Sequence, residues 1–289
     1  MTNKKSPMTK FTLKQFGEMF PNDDACLEYL RSEWYPEIIT CEGCKREAKF
    51  YRITTRKVYG CEHCGFQFSP AAGTIFHKSP TPLTIWFYVI YLMAQTRGGI
   101  SAKQIQRETG VTYKTAWRMC KQIRLLMQQD SESLGGDIEA DETYIGGTRK
   151  LKHRYDNKSV VFGMVERNGR IKASFVKTAG ARVLLPAIQQ GTEPDSHIFT
   201  DEWSSYKRLP KLGFSHTTVN HKQLEYVRGN AHTNTIEGFW SQLKRSMDGT
   251  YHSVSPKYLQ SYLNEFSFRY NFRSVPIFPV LLEQAVKLS

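Results

Sequence analysis

The sequence predicts a multidomain α/β chain, and three observations carry that reading. Two Cys-x2-Cys pairs lie near the N-terminus, two short helical patterns meet at a glycine turn, and short strands alternate with helices from Gly135-Gly136 onward. At 289 residues, with 40% hydrophobic and 13% aromatic residues, the chain can build a sizeable core. That composition excludes a disordered tail and a disulfide miniprotein. The expected order is an N-terminal helical segment (1–37), a ribbon (38–70), a helical region (80–130) and an α/β domain (136–289).

The first ten residues, Met-Thr-Asn-Lys-Lys-Ser-Pro-Met-Thr-Lys, read as a disordered basic lead-in, and Thr12 to Trp34 carries apolar residues at helical spacing. Cys41-x2-Cys44 and Cys61-x2-Cys64 follow, 16 residues apart. Each pair sits on a tight knuckle, and Lys57-Val-Tyr-Gly60 reads as a strand leading into the second. Four thiolates close a tetrahedral site with no open position, so one structural Zn2+ per chain is expected, and His63 is not needed as a ligand. Two disulfides are the competing reading, disfavoured in a reducing compartment. Cys26 and Cys120 fall in helical patterns and read as buried thiols.

Thr81 as N-cap and Pro82 as first helical residue open an apolar helix that runs to about Gln95, before Gly98-Gly99. Next, Ser101–Gly110 and Val111–Arg124 form a helix-turn-helix pattern with six basic residues and one acidic. Ile105, Val111, Ala116, Trp117 and Ile123 are its expected core. Thr112, Tyr113, Lys114, Thr115 and Arg118 would be exposed at the start of the second helix; Thr112, Lys114, Thr115 and Arg118 are the expected DNA-binding residues. An ordinary helical pair is the plain alternative.

Expected strands in the last domain are Asp137–Ile145, Ser159–Glu166, Arg170–Lys177, His197–Asp201 and His216–Val219. Expected helices are Ala181–Gln190, a turn after Asp201, Thr235–Met247 and Pro256–Asn271. Asp141 sits in a strand that ends at a glycine pair, Asp201 ends an apolar strand, and Glu237 lies on a helix opposite the apolar stripe Ile236, Phe239, Trp240, Leu243 and Met247. Singly these acids read as a strand-edge charge, a helix cap and a solvated glutamate. Jointly, carboxylates from two strand ends and one helix can hold two Mg2+ or Mn2+ ions for phosphoryl transfer. Lys244, two turns beyond Glu237, could set its charge on the DNA backbone, with Arg245 beside it in the same role.

Lys and Arg total 40 against 27 Asp and Glu, a net charge of +13, which points to a polyanionic partner, nucleic acid before membrane. The longest apolar run, Leu83 to Ala94, has 12 residues against the roughly 20 of a membrane span, and the N-terminus lacks an apolar signal core. A cytoplasmic, nucleoid-associated protein with no membrane contact is expected.

These motifs together resemble the DDE-type insertion-sequence transposases that carry an N-terminal zinc ribbon, the bacterial group related to eukaryotic Merlin elements. The resemblance rests on the four-cysteine ribbon, Glu139-Ala-Asp-Glu-Thr-Tyr-Ile-Gly-Gly147, Thr200-Asp-Glu-Trp-Ser-Ser-Tyr206 and His232-Thr-Asn-Thr-Ile-Glu-Gly-Phe-Trp240. Lys244-Arg245, Gly249-Thr-Tyr-His252, Tyr258-Leu259 and Glu265-Phe-Ser-Phe-Arg-Tyr-Asn271 extend it. It implies a ribonuclease H-like catalytic domain with Asp141, Asp201 and Glu237 as triad; Glu142 stands second for the first acid, ahead of Glu139. The 35 residues between Asp201 and Glu237 match a spacing common in such enzymes. It also implies cleavage at the element's ends and attack of the freed 3′-hydroxyls on target DNA. Double-stranded DNA, as terminal inverted repeats and target, is the implied partner, and synapsis of two ends implies a homodimer or larger complex.

Two competing functions follow from the same features. One is a domesticated, catalytically silent DNA-binding regulator derived from a transposase; the other is a nuclease acting on RNA–DNA hybrids. Tyr144, Trp203 and Trp240 beside the acids could stack on a base or simply pack, and His232 and Asn234 could contact DNA or metal or cap the helix.

Overall fold

The structure is a computed structural model that describes residues 11–129, 132–146, 158–219 and 232–287. The basic lead-in of residues 1–10, and Gly147 of the glycine pair after the first acidic strand, lie outside the described residues. The chain divides into two compact units: Met1–Leu126 together with Arg273–Ser289, and Met127–Phe272.

In the first unit the expected helical stretch is two helices, α1 (Leu13–Met19) and α2 (Asp23–Trp34). Pro21 separates them, because it has no N–H to donate and disfavours helical backbone at Phe20. Thr12 and Gln15 form a capping box on α1, and the Asn22 side chain accepts the Ala25 N–H of α2. The ribbon follows as an antiparallel sheet in the order β1 (Ile38–Thr40), β2 (Glu47–Ile53), β3 (Val58–Cys61) and β4 (Gln67–Phe68).

Helix α3 (Leu83–Gln95) buries Trp86, Phe87, Val89, Ile90 and Met93. Its start differs from expectation: Pro82, with ψ 143°, takes the cap position itself and no side chain caps the helix. Thr81 is instead turned into the preceding loop, its N–H donated to Ser79 Oγ. Helices α4 (Ala102–Thr109) and α5 (Tyr113–Leu126) are joined at Gly110, whose left-handed φ of 71° ends α4. Ile105, Ala116 and Ile123 are buried as expected, whereas Val111 and Trp117 are only half-buried, and Met119 and Cys120 fill the core in their place. Cys26 and Cys120 are both buried.

The second unit holds a five-stranded sheet in the order β7-β6-β5-β8-β9, formed by β5 (Asp137–Ile145), β6 (Ser159–Glu166), β7 (Ile171–Val176), β8 (His197–Asp201) and β9 (Ser215–Val219). The first three are antiparallel in sequence order, and β8 and β9 join β5 in parallel. Helix α6 (Ala181–Gly191) and the 3₁₀ turns Ser204–Tyr206 and Leu209–Leu212 complete the run to β9. Helix α7 (Asn234–Ser246), a wide π-type turn (Met247–Tyr251) and α8 (Pro256–Asn271) follow it.

Alternation along the strands assigns the two faces. Val161, Val165, Ile171 and Ala173 pack with Ile236, Trp240, Leu243, Leu263 and Phe266, so α7 and α8 cover one face. Ile138, Ala140, Phe162 and Met164 pack with Leu184, Ile188, Tyr206 and Leu209 on the other. The last helix, α9 (Ile277–Lys287), belongs to the first unit, where Phe278 meets Phe16 and Tyr91 with ring centroids 5.8 and 5.7 Å apart.

Among the described residues no helix is long and apolar enough to cross a membrane.

Candidate functional site

Two sites emerge from the residues the sequence singled out. In the ribbon, the Cys41 carbonyl accepts the Lys45 N–H at 2.8 Å and the Cys61 carbonyl accepts the Gly65 N–H at 3.0 Å, closing two equivalent knuckles. Lys45 at φ 58° and Gly65 at φ 72° provide the same sharp bend. The four sulfurs all lie within 4.8 Å of one another, with Cys41–Cys64 at 3.6 Å and Cys44–Cys61 at 4.0 Å. A zinc ion with Zn–S bonds near 2.3 Å needs sulfurs about 3.8 Å apart, whereas a disulfide needs about 2.05 Å, so this donor set fits a structural zinc. His63 stands outside the set, with Nε2 3.5 Å from Glu62.

The second site is a cleft of about 490 Å³ in the other unit, lined by Asp141 and Glu142 of β5, Asp201 at the end of β8, and Glu237, Ser241 and Lys244 on α7. Strand pairing places Asp141 opposite Gly163 of β6. A Cβ at Gly163 would lie 2.6 Å from the Trp240 ring, so only glycine leaves room for that indole. Seated there, Trp240 donates its Nε1–H to Asp141 Oδ2 at 2.9 Å. Burial, then the like charges of Glu142 and Asp201, push the Asp141 carboxyl up to about 7.

Glu142 faces the opposite side of β5 and accepts the hydroxyl of the fully buried Tyr206. Burial raises its carboxyl above the ordinary value despite that bond. Asp201 accepts the Trp203 N–H at 2.9 Å, so it caps the turn and lines the cleft at once. Glu237 is exposed and accepts the Thr233 hydroxyl at 2.8 Å. The three expected acids and Lys244 therefore share one cleft, while Arg245 is exposed and does not line it. Among the described residues only the four cysteines bring three or more metal donors close enough for a single ion. The cleft's carboxylates are instead hard oxygen donors suited in kind to Mg2+ or Mn2+, spread around its wall.

Sequence reasoning missed what holds α7 over the sheet. Glu139, fully buried on the same strand face as Asp141, accepts the N–H groups of Thr235 at 2.8 Å and Ile236 at 3.1 Å. Thr233, at the cap position of α7, makes no side-chain cap bond, so a residue from β5 does that work. Arg167 Nε lies 3.2 Å and His232 Nδ1 3.0 Å from Glu139 Oε1, and Arg167 also bonds the His232 carbonyl. The signal was an acid two positions before Asp141, on the same face of the strand, where burial requires partners.

On α5, Thr112 Oγ1 accepts the Thr115 N–H at 3.3 Å and lies 3.0 Å from its hydroxyl, so both threonines serve the helix cap. Lys114 is exposed. Arg118 is exposed too, but its Nη2 lies 3.3 Å from Ser79 Oγ and its guanidinium 5.7 Å from the Trp86 ring centroid.

Comparison with known proteins matches both parts of the chain. Residues 133–271 match the ISXO2-like transposase domain, and residues 21–67 match the transposase zinc-ribbon domain. An uncharacterized protein in transposable element ISH50 of Halobacterium salinarum is 27% identical over 257 residues, 80% of this chain and 85% of that one. An uncharacterized transposase-like protein of Haemophilus influenzae is 30% identical over 112 residues, 39% of this chain and 89% of that one. A chain from a simian T-cell lymphotropic virus intasome in complex with PP2A regulatory subunit B56 gamma is 17% identical with a TM-score of 0.30, covering 62% of this chain and 64%, just under two thirds, of its own; that likeness is too weak to carry an argument. With a ribbon that gathers four thiols and a second domain matched over residues 133–271, the chain belongs to the insertion-sequence transposases that join a zinc ribbon to an ISXO2-like transposase domain.

Proposed function

We propose that the protein is a DDE-type DNA transposase that binds the ends of its insertion sequence and catalyses metal-dependent cleavage and strand transfer. The observation that carries this reading is the convergence of Asp141, Asp201 and Glu237, from two strands and a helix, on one cleft that also holds Lys244. The sheet order, three antiparallel strands followed by two parallel ones with helices on both faces, supports a ribonuclease H-like domain beginning near residue 136. On this reading α9, though C-terminal to that domain, serves the DNA-binding part of the chain, and α4 and α5 form its helix-turn-helix.

Asp141, Asp201 and Glu237 would hold two Mg2+ or Mn2+ ions, whose chemistry when bound is Lewis-acid stabilisation of the charge that builds on a phosphodiester. The raised Asp141 carboxyl fits that role, because a buried acid, set close to two others without a counter-ion, resists ionising. The Trp240 hydrogen bond orients the Asp141 carboxylate, and the Thr233 hydroxyl does the same for Glu237. Lys244 sets a positive charge on the non-bridging oxygens of the DNA strand. No serine or tyrosine nucleophile is required, since the attacking group is a water or a 3′-hydroxyl. Lys114 and Arg118 of α5 would grip the terminal repeats, and synapsis of two ends calls for a dimer or larger complex.

The test is a supercoiled plasmid bearing the gene's own flanking DNA, incubated with wild type or Asp201→Asn protein in Mg2+, Mn2+ or EDTA. Metal-dependent breaks at the element ends by wild type alone are expected. Specific retention of the flanks without cleavage in either metal would overturn the catalytic reading in favour of a DNA-binding derivative.

A further inference from the structure

Gly249-Thr-Tyr-His252 stands out in the sequence but has no part in the cleft. The structure gives His252 a backbone conformation that few residues adopt. At φ 59° and ψ −46°, with the Ser253 N–H donated to the Tyr251 carbonyl at 2.7 Å, His252 is the central residue of a γ-turn of the rare positive-φ kind. Glycine would take that conformation with the least strain, yet the position carries a histidine whose side chain is exposed.

The turn is held by the residue before it and by the histidine itself. Before it, the Tyr251 hydroxyl lies 3.0 and 3.1 Å from the two oxygens of Glu265, which is fully buried and paired with Arg269 at 2.7 Å. The Tyr251 ring packs edge-on to Tyr262 at 4.7 Å. The imidazole itself is pinned, with Nδ1 2.9 Å from the Asp248 carbonyl, so Nε2 is the nitrogen left to meet a ligand. Asp248 lies in the π-type turn that continues α7 beyond Lys244, and it is exposed. A strained backbone, an anchored neighbour and a pinned imidazole thus hold an exposed histidine at the end of the turn that follows the helix carrying Glu237 and Lys244.

We propose that His252 is a DNA contact: as imidazolium it keeps Nδ1–H on the Asp248 carbonyl and gives Nε2–H to a phosphate of the strand that leaves the cleft. The proposal rests on the reading of the cleft as a DNA site. It explains why the strained position is not glycine, since glycine would relieve the turn and lose the contact.

The experiment uses the full chain and a short DNA duplex with a single-stranded 3′ extension, binding being verified by gel shift. Histidine modification by diethyl pyrocarbonate is quantified residue by residue by mass spectrometry, with and without DNA. DNA is expected to protect His252 several-fold. His252→Gly and His252→Asn should melt no lower than wild type, yet bind with a log affinity against log salt slope shallower by about one. Unchanged modification of His252 in a verified complex, or unchanged slopes for both variants, would overturn this proposal alone. A wild type that binds no DNA would overturn the cleft reading and this proposal together.

Discussion

Glu139 on β5 caps the first turn of α7 by accepting the Thr235 N–H at 2.8 Å, although the two are 96 positions apart in the sequence. Asp141 lies two positions further along that strand and Glu237 two further along that helix. One buried carboxylate therefore sets the spacing of two acids that share a cleft. A helix usually caps itself from its own flank; here the sheet supplies the cap, so the helix cannot shift without breaking a charged network.

Glu139→Ala should destabilise the protein by about 2–4 kcal/mol, because it removes the nearer carboxylate partner of Arg167 and leaves two helix N–H groups without their acceptor in the interior. Glu139→Gln keeps an acceptor for the helix and should cost about 1–3 kcal/mol. Chemical denaturation measures both, and a loss under about 1 kcal/mol for the alanine variant would show that the cap contributes little.

Gly163→Ala places a methyl group where the Trp240 ring now sits, 2.6 Å from its atoms. Overpacking of that kind costs about 1–3 kcal/mol, and it should pull the indole off Asp141. Strand transfer should fall with stability, whereas Ala140→Gly, on the opposite face of β5, should lower stability and leave metal-dependent cleavage by the folded protein unchanged.

Asp141 titrates near 7 in the fold against an ordinary value of 3.8, so the folded state holds a proton that the unfolded chain has released. Stability from this group is present below about pH 4 and is lost as pH rises to about 7. In EDTA, Asp141→Asn should therefore gain on wild type by about 1–3 kcal/mol across that interval and level off above it. Melting temperatures at a series of pH values check the sign; a constant difference would mean that Asp141 ionises normally.

Protein purified without chelator should contain one zinc per chain by elemental analysis, and Cys61→Ser should abolish it. Loss of zinc should unfold the ribbon and leave the far-ultraviolet signal of the five-stranded unit in place. A zinc-free protein with an intact ribbon would refute the assignment.

Arg118→Ala should weaken binding to the element ends and reduce the salt slope by about one. The Ser79 and Trp86 contacts of Arg118 make a second outcome informative: unchanged DNA binding with reduced stability would make it a brace for α3.

The strands of the second unit were legible because their β-prone runs are short and bounded by glycine or by polar turn residues, and β5, β8 and α8 begin and end where the sequence places them. Asp201 ends β8 and Glu237 lies in the first turn of α7, whereas Asp141 sits in the middle of β5 and not at the strand end the sequence suggested, because β5 runs on to Ile145 before its glycine. What was not legible depends on pairings across long separations. Nothing near Glu139 announces Thr235, and nothing near Gly163 announces Trp240; each contact exists only once the sheet has formed. Likewise the apolar pattern after Val275 carries no sign that α9 returns to the helices of the first unit.

That return has a consequence for biosynthesis. Phe278, Leu281 and Leu282 are buried, and they are synthesised after every residue of the cleft. Of the two units, the one that contains α1 to α5 is thus the later to close its core, while the acidic cleft needs nothing beyond Phe272. A product terminated before α9 would carry every cleft residue and a first unit whose core is left open to solvent, so translation through α9 gates the assembly of the helices expected to read DNA.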